Sequence, residues 1–259
     1  MNRDDFWLSP ELATFHDPVR FLLVGQKNCG TGLVRDAISV HPDAVCYGEL
    51  LHEDETKRRE YHESHFGQLP DEGVPGWFVE GVTNAERYLS TEVFDHPLRD
   101  QLVYGLQIAY GDVTKWDLWD YLREKCLAGD FCVIHVFRAP LPCFAASKAE
   151  EIAEHRGDTG WEVKDVELFA QKHESEMRRV RGVCADAIEI DFQELSDSGT
   201  AVIEKLFGFL ELPTISRKVI QSSVSRSLKE MRNSSFRRIL SSVRSMRGGM
   251  PVWMEEYFQ

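Results

Sequence analysis

The sequence turns on residues 20–32, Arg20-Phe21-Leu22-Leu23-Val24-Gly25 followed by Gln26-Lys27-Asn28-Cys29-Gly30-Thr31-Gly32. A short apolar run that ends in glycine reads as a buried strand. After the polar loop, Leu33, Val34, Ala37 and Ile38 recur at helical spacing. Strand, glycine-containing loop and helix form the opening of an α/β unit. The helix should close before His41-Pro42-Asp43, because proline disfavours helical geometry in the residue before it.

The same alternation continues outward from this unit. Val103–Tyr110 and Phe131–Phe137 read as strands, and Ala187–Asp191 as a shorter one. Helices are predicted between them. Thr114, three residues before Asp117, resembles a capping box for a helix carrying Trp116, Trp119, Leu122 and Cys126 on one face. Val166, Phe169, Met177 and Val180 mark another helix. Val202, Ile203, Leu206, Phe207 and Leu210 mark a third, which Pro213 terminates. Residues 52–75 are charged and rich in turn-formers, which predicts a surface excursion; within it, His62-Glu63-Ser64-His65 reads as a polar loop. With no linker or internal repeat, the economical fold is one α/β domain, P-loop-like, with a mostly parallel central sheet flanked by helices. The expected division is an N-terminal extension over 1–19, the domain over 20–247 and a tail over 248–259.

Composition narrows the function. The chain has 259 residues, 42 % hydrophobic, and a formal charge of −13. A surface of that sign disfavours a nucleic-acid partner. No apolar stretch approaches bilayer-spanning length, so membrane insertion is not expected. The N-terminus has early aspartates and no apolar core, unlike a signal peptide. Six cysteines without a CxxC pair read as reduced thiols, which points to the cytoplasm. The charge is also uneven. Between Leu212 and Met250 nine basic residues face the single acid Glu230, a net of +8 that leaves −21 on the remainder. Such a segment is either a solvated basic face or a place for one small phosphorylated molecule.

Gly25 and Gly30 have the spacing of the two glycines of a Walker A loop, but Thr31 and Gly32 stand where lysine and serine or threonine belong. Without the lysine the loop is ill suited to γ-phosphate chemistry, which argues against a small-molecule kinase of the P-loop class. The backbone physics remains. A glycine turn before a helix directs N–H groups and the positive end of the helix dipole at an anion. Taken alone, the loop is either a phosphate cradle or a tight turn that binds nothing.

Four segments, in order, resemble the sulfotransferases that use 3′-phosphoadenylyl sulfate (PAPS), in particular the bacterial group of nodulation-factor and trehalose sulfotransferases. The first is Phe21–Glu49, with its loop, its helix and the run His41-Pro42-Asp43-Ala44-Val45-Cys46-Tyr47-Gly48-Glu49. The second is Tyr104-Gly105-Leu106-Gln107-Ile108, similar to the family's Gly-x-Lys strand. The third is Val133–Arg138 with Pro140, Leu141 and Ser147. The fourth is Ile188–Leu195 and the helix that ends Phe209-Leu210-Glu211-Leu212-Pro213.

The resemblance implies PAPS as sulfuryl donor, 3′,5′-adenosine bisphosphate (PAP) as product, no metal, and a small-molecule acceptor bearing a hydroxyl or amine. It implies a 3′-phosphate clamp from Arg138 and Ser147, and a 5′-phosphate cradle from Lys27, Asn28, Cys29, Gly30, Thr31 and Gly32. Arg226 and Lys229, in the stretch Ser225–Asn233, would belong to a lid over the nucleotide. The acceptor's proton needs a base, and Glu49 occupies the family's glutamate position, with His52 the second candidate. Two positions depart from the pattern. Asn28 and Gln107 stand where the family has cations, so either Lys27 compensates, or turnover is slow, or the chain has kept the fold and lost the reaction. Cys29, at a helix N-terminus, reads as a replaced serine and not as a nucleophile. Of the tryptophans that could line an acceptor pocket, Trp116 and Trp119 are expected in the core, and Trp77 and Trp161 remain candidates. Acceptor identity and oligomeric state are not legible in the sequence.

Overall fold

The computed structural model describes residues 18–48, 50–51, 55–66, 85–94, 101–155, 162–231, 239 and 241. Among the described residues, five parallel strands form one sheet: β1 (Val19–Gly25), β2 (Ala44–Tyr47), β3 (Val103–Ala109), β4 (Cys132–Phe137) and β5 (Ile188–Asp191). Their order is β2-β3-β1-β4-β5. Around them lie α1 (Thr31–Ile38), α2 (Glu55–Phe66), α3 (Ala85–Tyr88) with a π-helical turn (Leu89–Phe94), α4 (Tyr110–Lys115) and α5 (Trp119–Ala128). Then follow α6 (Pro140–His155), α7 (Val163–Val183), α8 (Phe192–Phe209) and α9 (Arg217–Met231). The single α/β domain with a parallel sheet is therefore the fold found.

β1 explains why the strand run had no polar alternation. Phe21 and Leu23 enter one core with α1, α8 and α9, while Leu22 and Val24 enter the other with α4, α5 and α7. A strand covered on both faces gains from apolar side chains at every position. Three strand ends come level in register: Gly25 pairs with Ala109 on one side and with Val136 on the other. The chain runs from β1 first to β2 and β3, then returns to β4 and β5 on the opposite side. In such sheets the crevice for a ligand opens at this reversal, outside the carboxyl ends of the strands.

Several local readings need correction. Ala44–Tyr47 is an edge strand; it was too short to stand out from the turn before it. The capping box at Thr114 does not form: Thr114 lies in the last turn of α4, and its hydroxyl accepts a hydrogen bond from Trp119 Nε1 (3.1 Å). Between the two helices Asp117 takes a left-handed φ of 52° and breaks the periodicity. Residues 55–66 are a helix, not a loop. Its buried His62 bonds Tyr88 Oη (3.1 Å), a partner far away in sequence that no local pattern announces. α8 also begins ten residues before its apolar stripe, at Phe192, where Asp191 caps it by accepting from the Gln193 amide (2.8 Å). Trp116 and Trp119 are buried, as expected of core residues. No helix of the described residues is long and apolar enough to cross a membrane.

The loops at the far edge are tied as well. His41 Nδ1 accepts from the Asp43 amide (3.1 Å), which leaves Nε2–H to donate to the Pro213 carbonyl (2.9 Å). The His41-Pro42-Asp43 turn and the Leu212-Pro213 helix ending, 172 residues apart, thus hold each other.

Candidate functional site

Residues 26–30 leave β1 and fold back tightly over its end. The Cys29 amide donates to the Gln26 carbonyl (3.1 Å), with Asn28 at φ 68° and Gly30 at φ 108°. Gly25 is required by contact: a Cβ there would lie 2.5 Å from Cys29 Sγ and 2.6 Å from the Val136 carbonyl. Gly30 caps α1 with no side-chain acceptor, and the first turn carries no acid. An uncapped helix start of this kind favours an anion over its N–H groups.

Arg138, the first residue after β4, closes the loop from the neighbouring strand. Its Nη1 donates to the Asn28 carbonyl (3.3 Å), and its guanidinium lies over the Phe192 ring, 4.1 Å from the centroid. The same ring backs Gly30, where a Cβ would come within 2.5 Å of Phe192 Cδ2. Phe192 follows β5 directly, so three adjacent strand ends supply the loop, the cation and the aromatic surface between them. This role of Phe192 was missed. The only signal was its position, an aromatic immediately after a strand.

The other expected residues take varied positions. Lys27 is exposed at the loop tip. Cys29 turns inward: its thiol donates to the Val136 carbonyl (3.1 Å), and burial pushes its pKa up to about 12, so it is a structural thiol. Thr31 is buried and Gly32 half-buried at the start of α1. Ser147 is half-buried on α6, nine residues beyond Arg138. Arg226 and Lys229 are exposed on α9, and Ser227 between them donates to Asp36 Oδ2 (3.4 Å) in the second turn of α1. Glu49 and His52 lie outside the described residues, as do Trp77, Trp161 and the stretch 232–238. The residue before Glu49 is placed: Gly48 packs so closely on Arg35 that a Cβ would lie 2.8 Å from Nη1. Gln107, where the resemblance expects lysine, is half-buried on β3, and its Oε1 has no hydrogen-bond partner among the described residues.

A second polar cluster lies beneath the site and was not foreseen. Tyr110 Oη meets His135 Nε2 at 2.5 Å, His135 Nδ1 meets Glu189 Oε1 at 3.1 Å, and Arg181 Nε donates to the same carboxylate oxygen at 2.5 Å. Burial lowers the His135 pKa, so the ring is neutral; Nδ1–H donates to Glu189, and Nε2 accepts from the tyrosine. Arg181 holds the Glu189 carboxyl below its usual range, while burial pushes the Tyr110 hydroxyl far up. Beside this chain, His173 stacks on Phe169 with centroids 6.2 Å apart and is 1 % exposed. Neither of its ring nitrogens has a hydrogen bond among the described residues, although the Arg138 carbonyl is near enough to favour its charged form. Burial dominates and lowers its pKa to about 4. Glu176, one turn on, is also buried with Oε2 unpartnered, and burial raises its pKa. His173 and Glu176 interrupt the apolar stripe of α7. Polar residues on an apolar face were the available signal.

The chemistry on offer is therefore anion binding by backbone amides and a stacked arginine, above a buried network that fixes the strand ends. In comparison with solved structures, a sulfotransferase from Alicyclobacillus acidocaldarius is 15 % identical with a TM-score of 0.45, over 86 % of this chain and 99 % of that one. The sulfotransferase domain of the Synechococcus PCC 7002 olefin synthase is 16 % identical with a TM-score of 0.42, over 78 % of this chain and 75 % of that one. No protein-family model and no curated protein matches the chain.

Proposed function

We propose that the chain transfers a sulfuryl group from PAPS to a hydroxyl or amine of a sugar or small metabolite. The observation that carries this reading is the junction of the loop with Arg138 at the strand ends. The two sequence segments that resemble phosphate-binding parts of the PAPS-dependent enzymes meet there through the Arg138–Asn28 contact. The donor set suits a polyanion: amides of an uncapped helix start, an arginine fork, and Lys27 at the loop tip.

PAPS would supply the sulfuryl group, whose transfer leaves an electron pair on the donor's phosphate oxygen. In this reading Arg138 and Ser147 hold the 3′-phosphate. Lys27 and the amides of residues 28 and 30–32 meet the negative charge that accumulates on the leaving phosphate. Glu49 accepts the acceptor's proton as its oxygen or nitrogen attacks sulfur, with His52 as the alternative base. The exposed Arg226 and Lys229 contribute to a lid over the nucleotide. The site would work in the cytoplasm on a small-molecule acceptor.

One observation favours a second reading, a nucleotide-binding module without turnover. Asn28 and Gln107 are neutral at positions where the resemblance expects cations, and the Asn28 carbonyl is already bonded to Arg138. Calorimetric titration with PAP and labelled-sulfate transfer from PAPS across an acceptor panel separate the two. The enzyme reading expects both binding and transfer, with Glu49→Gln abolishing transfer while binding persists. Binding with no transfer to any acceptor selects the module, and absence of PAP binding overturns both.

A further inference from the structure

Cys126 near the end of α5 and Cys184 at the C-cap of α7 bring their sulfurs to 3.2 Å across 58 residues of chain. The pair lies apart from the loop and from Arg138, and nothing in the proposed reaction uses it. Both backbones are anchored. The Cys184 amide donates to the Val180 carbonyl (2.8 Å), and its carbonyl accepts from the Ala187 amide (3.1 Å) where the chain turns into β5. Cys126 sits where α5 ends, its carbonyl accepting from the Gly129 amide (3.1 Å). Three of the remaining four thiols are shielded, and only Cys132 is half-buried like Cys126. Cys29 bonds a backbone carbonyl, Cys143 is fully buried, and Cys46 is held in the core beside Arg35.

We propose that Cys126 and Cys184 are a redox modification site, forming a reversible intramolecular disulfide that staples α5 to the end of α7. A disulfide needs a sulfur separation of about 2.0 Å, so the two must close by roughly 1.2 Å. The roles follow from their surroundings. Cys126 is half-buried and reachable by a small oxidant, whereas Cys184 is buried, so Cys126 meets the oxidant first. With hydrogen peroxide as oxidant, the Cys126 thiolate attacks one peroxide oxygen, the O–O bond breaks, and protonation releases water and leaves a sulfenic acid. The Cys184 sulfur then attacks Cys126 sulfur. The S–O bond breaks, and the Cys184 proton leaves with the hydroxide as a second water. Two thiols lose two electrons in all and one peroxide gains them. α7 carries His173, Glu176 and Arg181, so the staple fixes the helix that lines the buried network under the site.

Peroxide treatment of the folded full-length chain, followed by unfolding in denaturant with an alkylating maleimide and peptide mass mapping, tests this. The expected result is a Cys126–Cys184 cross-linked peptide, two of the six thiols protected from alkylation, and full recovery with dithiothreitol. Cys126→Ser and Cys184→Ser should each remove the cross-link. Cys132→Ser should keep it, although Cys132 is half-buried and electrostatically coupled to Cys126. The proposal is overturned if Cys126 proceeds to sulfinic acid without a cross-link, if it pairs with Cys132 or with a second chain, or if both thiols stay unmodified while others react.

Discussion

Arg138 sits over Phe192, its guanidinium 4.1 Å from the ring centroid, while it donates to the Asn28 carbonyl. One aromatic side chain therefore orients the cation and limits the loop, because it also stands against Gly30. An arginine held in this way loses less freedom when it binds an anion.

Arg138→Ala should weaken PAP binding by about 10- to 150-fold, the range for a lost charge-assisted hydrogen bond. Arg138→Lys should recover little of this, since lysine keeps the charge but lacks the planar fork that stacks and binds in two places. Phe192→Leu should cost less, about 2- to 30-fold, by releasing the arginine from its platform. Calorimetry on the three variants orders them, and a lysine variant equal to wild type would contradict the geometry.

Two loop glycines should respond in opposite ways. At Gly30 an alanine meets both φ 108° and the Phe192 ring, so Gly30→Ala should destabilise by about 1–3 kcal/mol. At Gly32 a Cβ would have nothing within 4 Å, and its helical position makes Gly32→Ala neutral or stabilising by up to about 1 kcal/mol. Urea midpoints at constant m-value measure both.

Tyr110→Phe removes the hydroxyl from a fully buried histidine nitrogen and should cost about 1–3 kcal/mol. Glu189→Gln acts at the exposed end of the same chain, where an ion pair with Arg181 contributes no more than about 1 kcal/mol. The double variant should cost less than the sum, because the two changes share His135. Strict additivity would show that the network is not coupled.

Acid should destabilise the fold well above carboxylate pH. His173 has a folded pKa of about 4 against an ordinary 6.5, so its neutral form contributes stability above pH 6.5 that is lost as pH falls toward 4. That shift corresponds to roughly 3 kcal/mol. His135 is lowered by burial and acts with the same sign. Glu176, raised by burial, opposes them: it favours the fold when protonated and loses that contribution as pH rises through its folded pKa. His173→Phe should flatten the loss between pH 6.5 and 4, read from urea midpoints across pH. An unchanged slope would show that His173 is not the group titrating.

Much of the architecture was legible because it rests on local patterns. Apolar runs over 20–25 and 131–137 mark strands buried on both faces, and helical periodicity marks α1 and the second half of α8. The loop was legible too, through its glycine spacing and the φ of 108° at Gly30, although Gly25 and Gly30 are also held by distant Val136 and Phe192. Less visible were elements stabilised by distant partners. α2 is held in part by His62 against Tyr88, and β2 by pairing with β3. Polar residues in α7 and on β4 read as helix and strand positions with no stated role until they met across the sheet.

The division follows from what each kind of interaction needs. Strand and helix periods, the turn at Gly25–Gly30 and the uneven charge depend on neighbours along the chain, so the sequence alone determined an α/β domain with an anion-suited loop beside its first strand. Which side chains share a site depends on the strand order β2-β3-β1-β4-β5. That order places Asn28, Arg138 and Phe192 at adjacent strand ends, sets Tyr110 against His135, and closes Cys126 on Cys184. Those contacts span 25 to 110 residues of chain, and only packing both faces of the sheet brings them within bonding distance.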